Sequence, residues 1–255
     1  YNSGNKVYYN IRENYKYFYV DFDTKNVITD GYDKVWELVD YNSIGIFKAS
    51  INGKLTYVNI INPKQNYGLF DSVGNVFVAG DMLLFSGEEN GKVKYIDLKT
   101  GKQIGDVYDN VEAIQKVNDK YFFSAEKDKK YFYVDTKTGK QIGKNYDNVS
   151  SLIKAGLDTV FIATVGSKKS IVNIANGNQL GEAFDNILET PIQTGNKWVT
   201  ICDKNNKKIV FSITDSKIIG EEFDHIGNII SAGQRRVFYA KAKNKERSEE
   251  HTSEL

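Results

Sequence analysis

The sequence predicts an all-β protein built from tandem copies of a 38-residue repeat. The composition includes 17 Tyr and 14 Phe but only 2 Pro and 1 Met, which favours strands over helices. An aromatic–Asp pair recurs along the chain at spacings of 38, 38, 38, 38 and 39 residues. Two further columns keep the same period, and three columns in register over six periods do not arise by chance.

These columns define the repeat. The aromatic–Asp pairs are Tyr32-Asp33, Phe70-Asp71, Tyr108-Asp109, Tyr146-Asp147, Phe184-Asp185 and Phe223-Asp224. The second column consists of Tyr9, Phe47, Phe85, Phe123, Phe161, Val199 and Phe238. The third column is a hydrophobic pair followed by a polar residue, and it begins at Tyr19, Tyr57, Tyr95, Tyr133, Ile171 and Val210.

Within the period 108–145, the pattern predicts four short strands. They are Val111 to Val117, Lys120 to Lys127, Lys130 to Thr136 and Gln141 to Tyr146. The third is nearly continuous in aromatic residues, as is typical of a strand buried on both faces. The intervening residues have turn chemistry, so consecutive strands are expected to form hairpins.

The turns follow the same period. Between the second and third strands lie pairs such as Asn52-Gly53 and Asn90-Gly91. Asn-Gly favours a type I′ hairpin because both central residues need positive φ. Between the third and fourth strands, segments such as Thr100-Gly101-Lys102 place a glycine where a left-handed residue is needed. No stretch leaves room for a helix of ordinary length.

Four antiparallel strands in about 40 residues are typical of a β-propeller blade. One blade cannot bury both faces of its sheet alone, so neighbouring blades must stack. We therefore expect a β-propeller of four-stranded blades. The alternative, a solenoid of stacked β-hairpins, needs fewer strands in each repeat.

The predicted array occupies residues 1–246. It comprises a partial blade at 1–31, whole blades at 32–69, 70–107, 108–145, 146–183 and 184–222, and a partial blade at 223–246. The two partial copies together exceed one period, so we expect a parent protein of at least seven blades and an array incomplete at both ends. Residues 247–255 resemble the translation of a sequencing-adapter oligonucleotide, and we expect them to be non-native.

Two segments carry a resemblance to known bacterial repeats. Tyr133-Val134-Asp135-Thr136-Lys137-Thr138-Gly139-Lys140 resembles the strand and turn of the quinoprotein-like (PQQ-like) propeller blade, and Tyr146-Asp147-Asn148-Val149 resembles the WG-repeat family. The resemblance implies a propeller and no particular activity. The Trp-Gly of the WG family is absent, and Ile104-Gly105 stands where quinoprotein blades carry a tryptophan. A quinone-dependent dehydrogenase would commonly show a vicinal cysteine pair, whereas this chain has 1 Cys.

Composition excludes several classes of function. With 34 Lys+Arg against 33 Asp+Glu there is no basic excess to attract nucleic acid, and no apolar run approaches a membrane-spanning length. The lone Cys202 excludes an intramolecular disulfide, and we expect it to be a buried strand residue. If the tail is non-native, His225 is the one genuine histidine, which leaves no basis for a Ser-His-Asp site. No cofactor motif occurs.

The repeated aspartates have two readings. A ring of them could bind a cation or supply general acids. Alternatively, each carboxylate accepts backbone N–H groups at a turn, as Asp commonly does. We favour the second, because a side chain present in every blade serves what every blade needs.

Three departures from the repeat are the remaining candidates. They are Trp36, Trp198 with a one-residue insertion after it, and Arg235-Arg236. For Trp198 we expect core packing with a shifted register, and Arg235-Arg236 could face a partner or solvent.

From these observations we expect a non-catalytic binding or scaffold module whose ligand is a protein or a glycan. The alternative is a carbohydrate-active hydrolase or lyase, which would need two acidic residues at a controlled separation. No catalytic, metal or cofactor residue is assigned. The compartment stays open, with an extracellular or cell-envelope setting favoured.

Overall fold

The computed structural model describes the backbone of residues 1–188, 190–227, 230–232, 235–242 and 245–251, and the side chains of residues 1–188, 190–227 and 238–242. These residues form strands and turns without a helix, and so contain no helix able to cross a membrane. The chain divides into two compact units, of which the first is Tyr1–Asp128 with Val134–Lys140 and the second is Lys129–Tyr133 with Gln141–Leu255. Each is described by itself.

The first unit contains three sheets and the beginning of a fourth. Its strands are β1 (Asn2–Ser3), β2 (Lys6–Glu13), β3 (Lys16–Asp21), β4 (Lys34–Val35), β5 (Val39–Tyr41), β6 (Ile44–Ile51), β7 (Lys54–Asn59), β8 (Ser72–Val73), β9 (Phe77–Ala79), β10 (Met82–Glu89), β11 (Lys92–Asp97), β12 (Gln103–Tyr108), β13 (Asn110–Val111), β14 (Gln115–Val117) and β15 (Lys120–Lys127). The division between the units falls inside the next strand, β16 (Lys130–Asp135).

The second unit repeats the pattern. Its strands are β17 (Gln141–Tyr146), β18 (Asn148–Val149), β19 (Ile153–Ala155), β20 (Asp158–Val165), β21 (Lys168–Asn173), β22 (Gln179–Phe184), β23 (Asn186–Ile187), β24 (Ile192–Thr194), β25 (Lys197–Lys204), β26 (Lys207–Ser212), β27 (Lys217–Phe223), β28 (His225–Ile226), β29 (Ile230–Ala232), β30 (Arg235–Ala242) and β31 (Lys245–His251). Strand β31 pairs with β30 and includes part of the segment expected to be non-native.

The complete sheets are antiparallel and are ordered along the chain. In β18–β22 the order is β18-β20-β21-β22, with β19 also paired to β20, and β23–β27 repeat this arrangement. The predicted second and fourth strands of the repeat 108–145 coincide with β15 and β17, and the third differs by one residue at its end. The all-β class and its four-stranded antiparallel sheets are therefore confirmed.

The predicted first strand is wrong as a single run, because it is broken into two pieces. In repeat 108–145 Val111 pairs with Ala125 and Gln115 pairs with Phe122, so three residues oppose two in a β-bulge. The bulge has a partner from the preceding repeat, since the Tyr95 hydroxyl donates to the carbonyl of Glu112 at 3.2 Å. Equivalent bonds are made by Tyr19, Tyr57 and Tyr133.

The fourth strand also contains a bulge, and this bulge explains why glycine follows Ile104 in the sequence. The register between β11 and β12 shifts between Val93 and Tyr95, and Gly105 has φ +72°. A Cβ at residue 105 would lie 2.2 Å from the Tyr108 hydroxyl, so only glycine fits beside this tyrosine. In repeats 1–31 and 32–69 the fourth strand is reduced to isolated bridges.

The hairpins between second and third strands have the predicted geometry. Both central residues have positive φ in Asn52-Gly53, at 51° and 78°, and in Asn90-Gly91, at 53° and 68°. The loop closes in two residues, since Ile51 pairs with Lys54. Turn chemistry therefore sets the register of each central hairpin.

Aromatic triplets pack consecutive repeats together. Phe85, on the second strand of its repeat, contacts Tyr57 of the preceding third strand at 5.1 Å and Phe70 of the aromatic–Asp pair at 5.8 Å between ring centroids. All three rings lie in the tilted or edge-on arrangements that such pairs prefer, each worth about 0.5–1.5 kcal/mol beyond burial. Equivalent triplets form around Phe47, Phe123 and Phe161.

Repeat 184–222 departs from this scheme, and two sequence expectations fail there. In repeat 146–183, Phe161 on the second strand pairs with Val172 on the third strand. The equivalent pair in repeat 184–222 is Thr200 with Phe211. The second column is therefore occupied here by Thr200 and not by Val199. The extra residue lies between Ile187 and Ile192, where the bulge is one residue longer, and not after Trp198. In this repeat the large side chain of the pair is Phe211 on the third strand, and the smaller one is Thr200 on the second strand. Thr200 is fully buried, and Phe211 contacts Phe184 at 5.2 Å between ring centroids.

Candidate functional site

Each repeated aspartate joins two consecutive repeats. The Asp109 carboxylate accepts from the Lys92 ammonium, at the start of the preceding third strand, through Oδ1. Its Oδ2 accepts the backbone N–H of Asp128, in the next central hairpin, at 2.7 Å. Its own N–H donates to the carbonyl of Glu126 at 2.8 Å. We call this three-part contact the clasp.

The clasp recurs through the array. The Lys–Asp pairs are Lys16–Asp33, Lys54–Asp71, Lys92–Asp109, Lys130–Asp147, Lys168–Asp185 and Lys207–Asp224. Sequence reasoning identified the aspartates but missed the lysine column, although the lysines share their spacing. Within the residues whose side chains the structure describes, the hairpin N–H bond to the aspartate is donated by Asn52, Asn90, Asp128, Gly166 and Asn205.

The electrostatics of the clasp oppose acid catalysis by these groups. The hydrogen bond from Lys92, and then that from the Asp128 N–H, hold the pKa of Asp109 below its ordinary value, and Asp33, Asp71, Asp147 and Asp185 are shifted likewise. A general acid needs a pKa near the working pH. In the described part of the chain, no three His, Cys, Asp or Glu side chains converge into a metal-binding group. The turn-binding reading of the aspartates is the one that their contacts match.

The clasps define two ends of each sheet. The clasp end of a sheet carries the clasps and the central hairpins between second and third strands. The turn end is the opposite end, and it carries the turns between first and second strands and between third and fourth strands. At the turn end the polar residue that ends each third strand caps the following turn. In the first unit, Asp97 accepts from the Lys99 N–H at 3.1 Å and from the Thr100 hydroxyl at 2.7 Å.

Clefts open between consecutive repeats at the turn end. The first cleft, of about 480 Å³, is lined by Ser3, Gly4, Asn5, Lys6, Tyr8, Asp21, Ile28, Ser43, Ile60, Ile61 and Pro63. The second cleft, of about 380 Å³, is lined by Ala79, Gly80, Asp81, Met82, Asp119, Lys120, Tyr121, Asp135, Thr136, Lys137 and Thr138. Both volumes lie in the range of small-molecule sites.

The two clefts are the same feature of the repeat at two positions. Residues 3–6 and 79–82 are two periods apart, as are Ser43 and Asp119 and the pairs that begin at Ile60 and Thr136. The backbone setting therefore recurs while the lining changes: Ile60 and Ile61 of the first cleft are replaced by Thr136 and Lys137 in the second. The clefts could not be found from sequence, because their walls come from turns of different repeats.

One position of the second strand differs widely between repeats at this end. It is Gly45 beside the first cleft, Tyr121 in the second, and Trp198 in the second unit. Trp198 packs on the hydrophobic cluster around Phe211, and its Nε1 would be 2.9 Å from a Cβ at Gly156. Core packing of Trp198 is therefore confirmed.

The other singled-out residues have separate settings. Trp36 is half-buried, with the ammonium groups of Lys34 and Lys48 at 4.7 and 4.6 Å from its ring centroid. Cys202 is fully buried on β25 as expected, and burial raises the pKa of its thiol to about 12. The backbone of Arg235-Arg236 begins β30, and the side chains lie outside the described residues.

Fold and contacts define a repeat protein of antiparallel four-stranded sheets held together by clasps. No family model matches the chain, and no curated protein does. Among solved structures, it is similar to the dihydro-heme d1 dehydrogenase NirN in complex with DHE (9% identity, 100% of this chain and 66% of that one, TM-score 0.34). It is also similar to the β-propeller domain of the Trilobed protease from Pyrococcus furiosus, with 10% identity over 86% of this chain and 81% of that one and a TM-score of 0.35. A third similar structure is Hsv2 from Kluyveromyces lactis, with 10% identity over 80% of this chain and 69% of that one and a TM-score of 0.30. The chain spans slightly less than two thirds of the first of these, and no function is transferred at these values.

Proposed function

We propose that this chain is a non-catalytic binding module, formed by β-propeller blades of the WG-repeat or quinoprotein-like kind, and that it binds a protein or glycan at its turn end. The observation that carries the proposal is the contrast between the two ends of the sheets. At the clasp end the repeated charges are used in contacts between repeats. At the turn end the same backbone setting forms clefts whose linings differ.

This contrast is what a binding scaffold requires. A repeat array needs identical contacts where its units stack and can vary the residues that meet a ligand. Loops carried on a rigid framework are also where binding residues concentrate. Leu157, at the tip of a first–second turn, is 99% exposed, so the turn end also presents an apolar side chain to solvent.

The test compares charge reversals at the two ends. Lys137→Glu alters the turn end and Lys129→Glu, in a central hairpin, alters the clasp end as its matched control. The probes are an array of defined neutral and acidic glycans, with chromogenic glycosides to report turnover. We expect binding that Lys137→Glu weakens at least tenfold and Lys129→Glu leaves within twofold.

Two results would overturn the proposal. Equal effects of both variants would remove the turn end as the binding surface. Glycoside turnover abolished by replacing one non-repeated Asp or Glu would make the protein an enzyme.

A further inference from the structure

We propose that the second cleft binds a neutral sugar unit of a glycan, with Tyr121 as the platform beneath the ring and the surrounding charged side chains as hydrogen-bond partners. This inference rests on the proposed function, since it assigns one ligand class to one cleft at the turn end. Four features of the cleft support it.

The first feature is an aromatic ring that the repeat leaves accessible. Tyr121 is half-buried, with Phe77 packed edge-on at 6.2 Å between centroids and the Lys116 ammonium at 5.8 Å. The turn opposite contributes Gly80, whose φ of +62° favours glycine and whose missing Cβ would lie 3.6 Å from Tyr121 Cε2. A ring of this kind offers an apolar surface with a polar tip.

The second feature is hydrogen-bonding capacity that the protein itself does not use. Within the described residues, the side chains of Asp81, Asp119, Lys120 and Lys137 line the cleft and make no hydrogen bond or ion pair. The carboxylates only accept hydrogen bonds and the ammonium groups only donate them. A sugar hydroxyl does both, so a polyhydroxylated ring can use both kinds of partner.

The third feature is the balance of charge. Three carboxylates (Asp81, Asp119 and Asp135) line the cleft with the ammonium groups of Lys120 and Lys137, and Lys116 lies over the Tyr121 ring. The charges of these groups balance, so the cleft has no net charge that would attract a ligand of either sign. This balance suits a neutral ligand, and these acids do not form a metal-binding group.

The fourth feature is a wall that is already ordered. Asp135 Oδ1 accepts from the N–H groups of Lys137 and Thr138, both at 2.9 Å, and Thr136 Oγ1 donates to the Tyr121 carbonyl at 3.0 Å. The turn that carries Lys137 is thereby held against the strand that carries Tyr121. Binding does not have to order this turn, which lowers its entropic cost.

The experiment uses the full chain and ligand-observed NMR. The probes are neutral hexasaccharides of glucose, mannose and galactose, with a galacturonic-acid hexamer and a glucosamine hexamer as charged comparisons. We expect saturation transfer to at least one neutral hexamer and at least tenfold weaker binding of both charged ones. Tyr121→Ala and Asp81→Asn should each weaken binding of the neutral hexamer at least tenfold.

Matched controls separate the site from the fold. Tyr15→Ala removes a tyrosine that is 83% exposed at the clasp end, and Asp128→Asn removes a hairpin carboxylate there. Both should bind as the unaltered chain does. Tyr121→Phe keeps the ring and should retain most of the affinity, so the platform role can be judged on a variant that preserves the packing of the ring.

The inference is overturned if only a charged hexamer binds, if no neutral hexamer binds, or if the cleft variants act no differently from the controls. The proposed function fails separately, when the Lys137→Glu and Lys129→Glu variants show no preference for the turn end with any ligand. A protein ligand mapped to the turn end would sustain the proposed function and refute the sugar.

Discussion

In repeat 184–222, the small Thr200 and the large Phe211 stand where the other pair, Phe161 and Val172, has a large and then a small side chain. Restoring the large-then-small order tests whether the volume lost at one position is compensated at the other. The perturbations are Thr200→Phe, Phe211→Val and the two combined, which recreate the Phe161–Val172 pairing of the neighbouring repeat. Thr200→Phe alone adds a ring beside the fully buried Phe211, and such overpacking costs about 1–3 kcal/mol. Phe211→Val alone leaves a cavity at a cost of about 2–3 kcal/mol, somewhat below a Phe→Ala change.

The double variant should recover most of this loss. The new ring at residue 200 would lie between Ile171 and Phe184, the counterparts of the tyrosines that enclose Phe161. We expect the double variant to be destabilised by less than about 2 kcal/mol, with a coupling energy of about 3 kcal/mol. Thr200→Val combined with Phe211→Val is the control, since it adds no ring and should give no rescue.

The assay is urea unfolding followed by tryptophan fluorescence, because Trp198 packs on the cluster that contains Phe211. Refutation is simple to recognise. If the two single effects add within about 0.5 kcal/mol in the double variant, Thr200 and Phe211 do not exchange volume and the reasoning is wrong.

Three further predictions concern the clasp, the turns and the thiol. The pKa of Asp109 is lowered in the folded chain, so the carboxylate stabilises the fold above the ordinary carboxyl pKa, and this stabilisation is lost as the pH falls below about 4. The Asp109→Asn variant should therefore show a smaller fall in Tm between about pH 7 and about pH 3 than the unaltered chain. Gly139→Ala should destabilise by about 1–3 kcal/mol in urea, because its Cβ would lie 2.7 Å from the Gly105 nitrogen, whereas Gly53→Ala, with open space around it, should cost less. Cys202 should react with a thiol reagent only after unfolding, since its buried thiol has a pKa of about 12; rapid labelling of the native chain would contradict its burial.

Much of the local structure could be predicted because its causes are local. Alternation of side chains and Asn-Gly pairs determine where a hairpin turns, so β15, β17 and the two-residue loop at Asn52-Gly53 were found from sequence. The break in the first strand was not predictable in this way. At the break the chain contacts another repeat, since the Tyr95 hydroxyl donates to the carbonyl of Glu112 at 3.2 Å, and strand patterning within one repeat does not show this contact.

The repeat at 184–222 shows how a fixed spacing can mislead. Counting 38 residues from Phe161 reaches Val199, but the extra residue comes earlier, between Ile187 and Ile192, and moves Thr200 into the column. Sequence spacing does not show where a bulge absorbs a residue. Strand pairing does, because each ladder bond identifies its partner.

The sequence by itself determined the class, the 38-residue period, the hairpins and the recurring aspartates, since each follows from periodicity or turn chemistry within a few residues. Only the tertiary structure decided what the aspartates contact and where the surface stays open. Lys92, Asp109 and Asp128 meet across two repeats, and Asp81, Tyr121 and Lys137 line one cleft from two turns and a strand. Stacking brings these groups together, and the distances that it sets are not encoded in spacing along the chain.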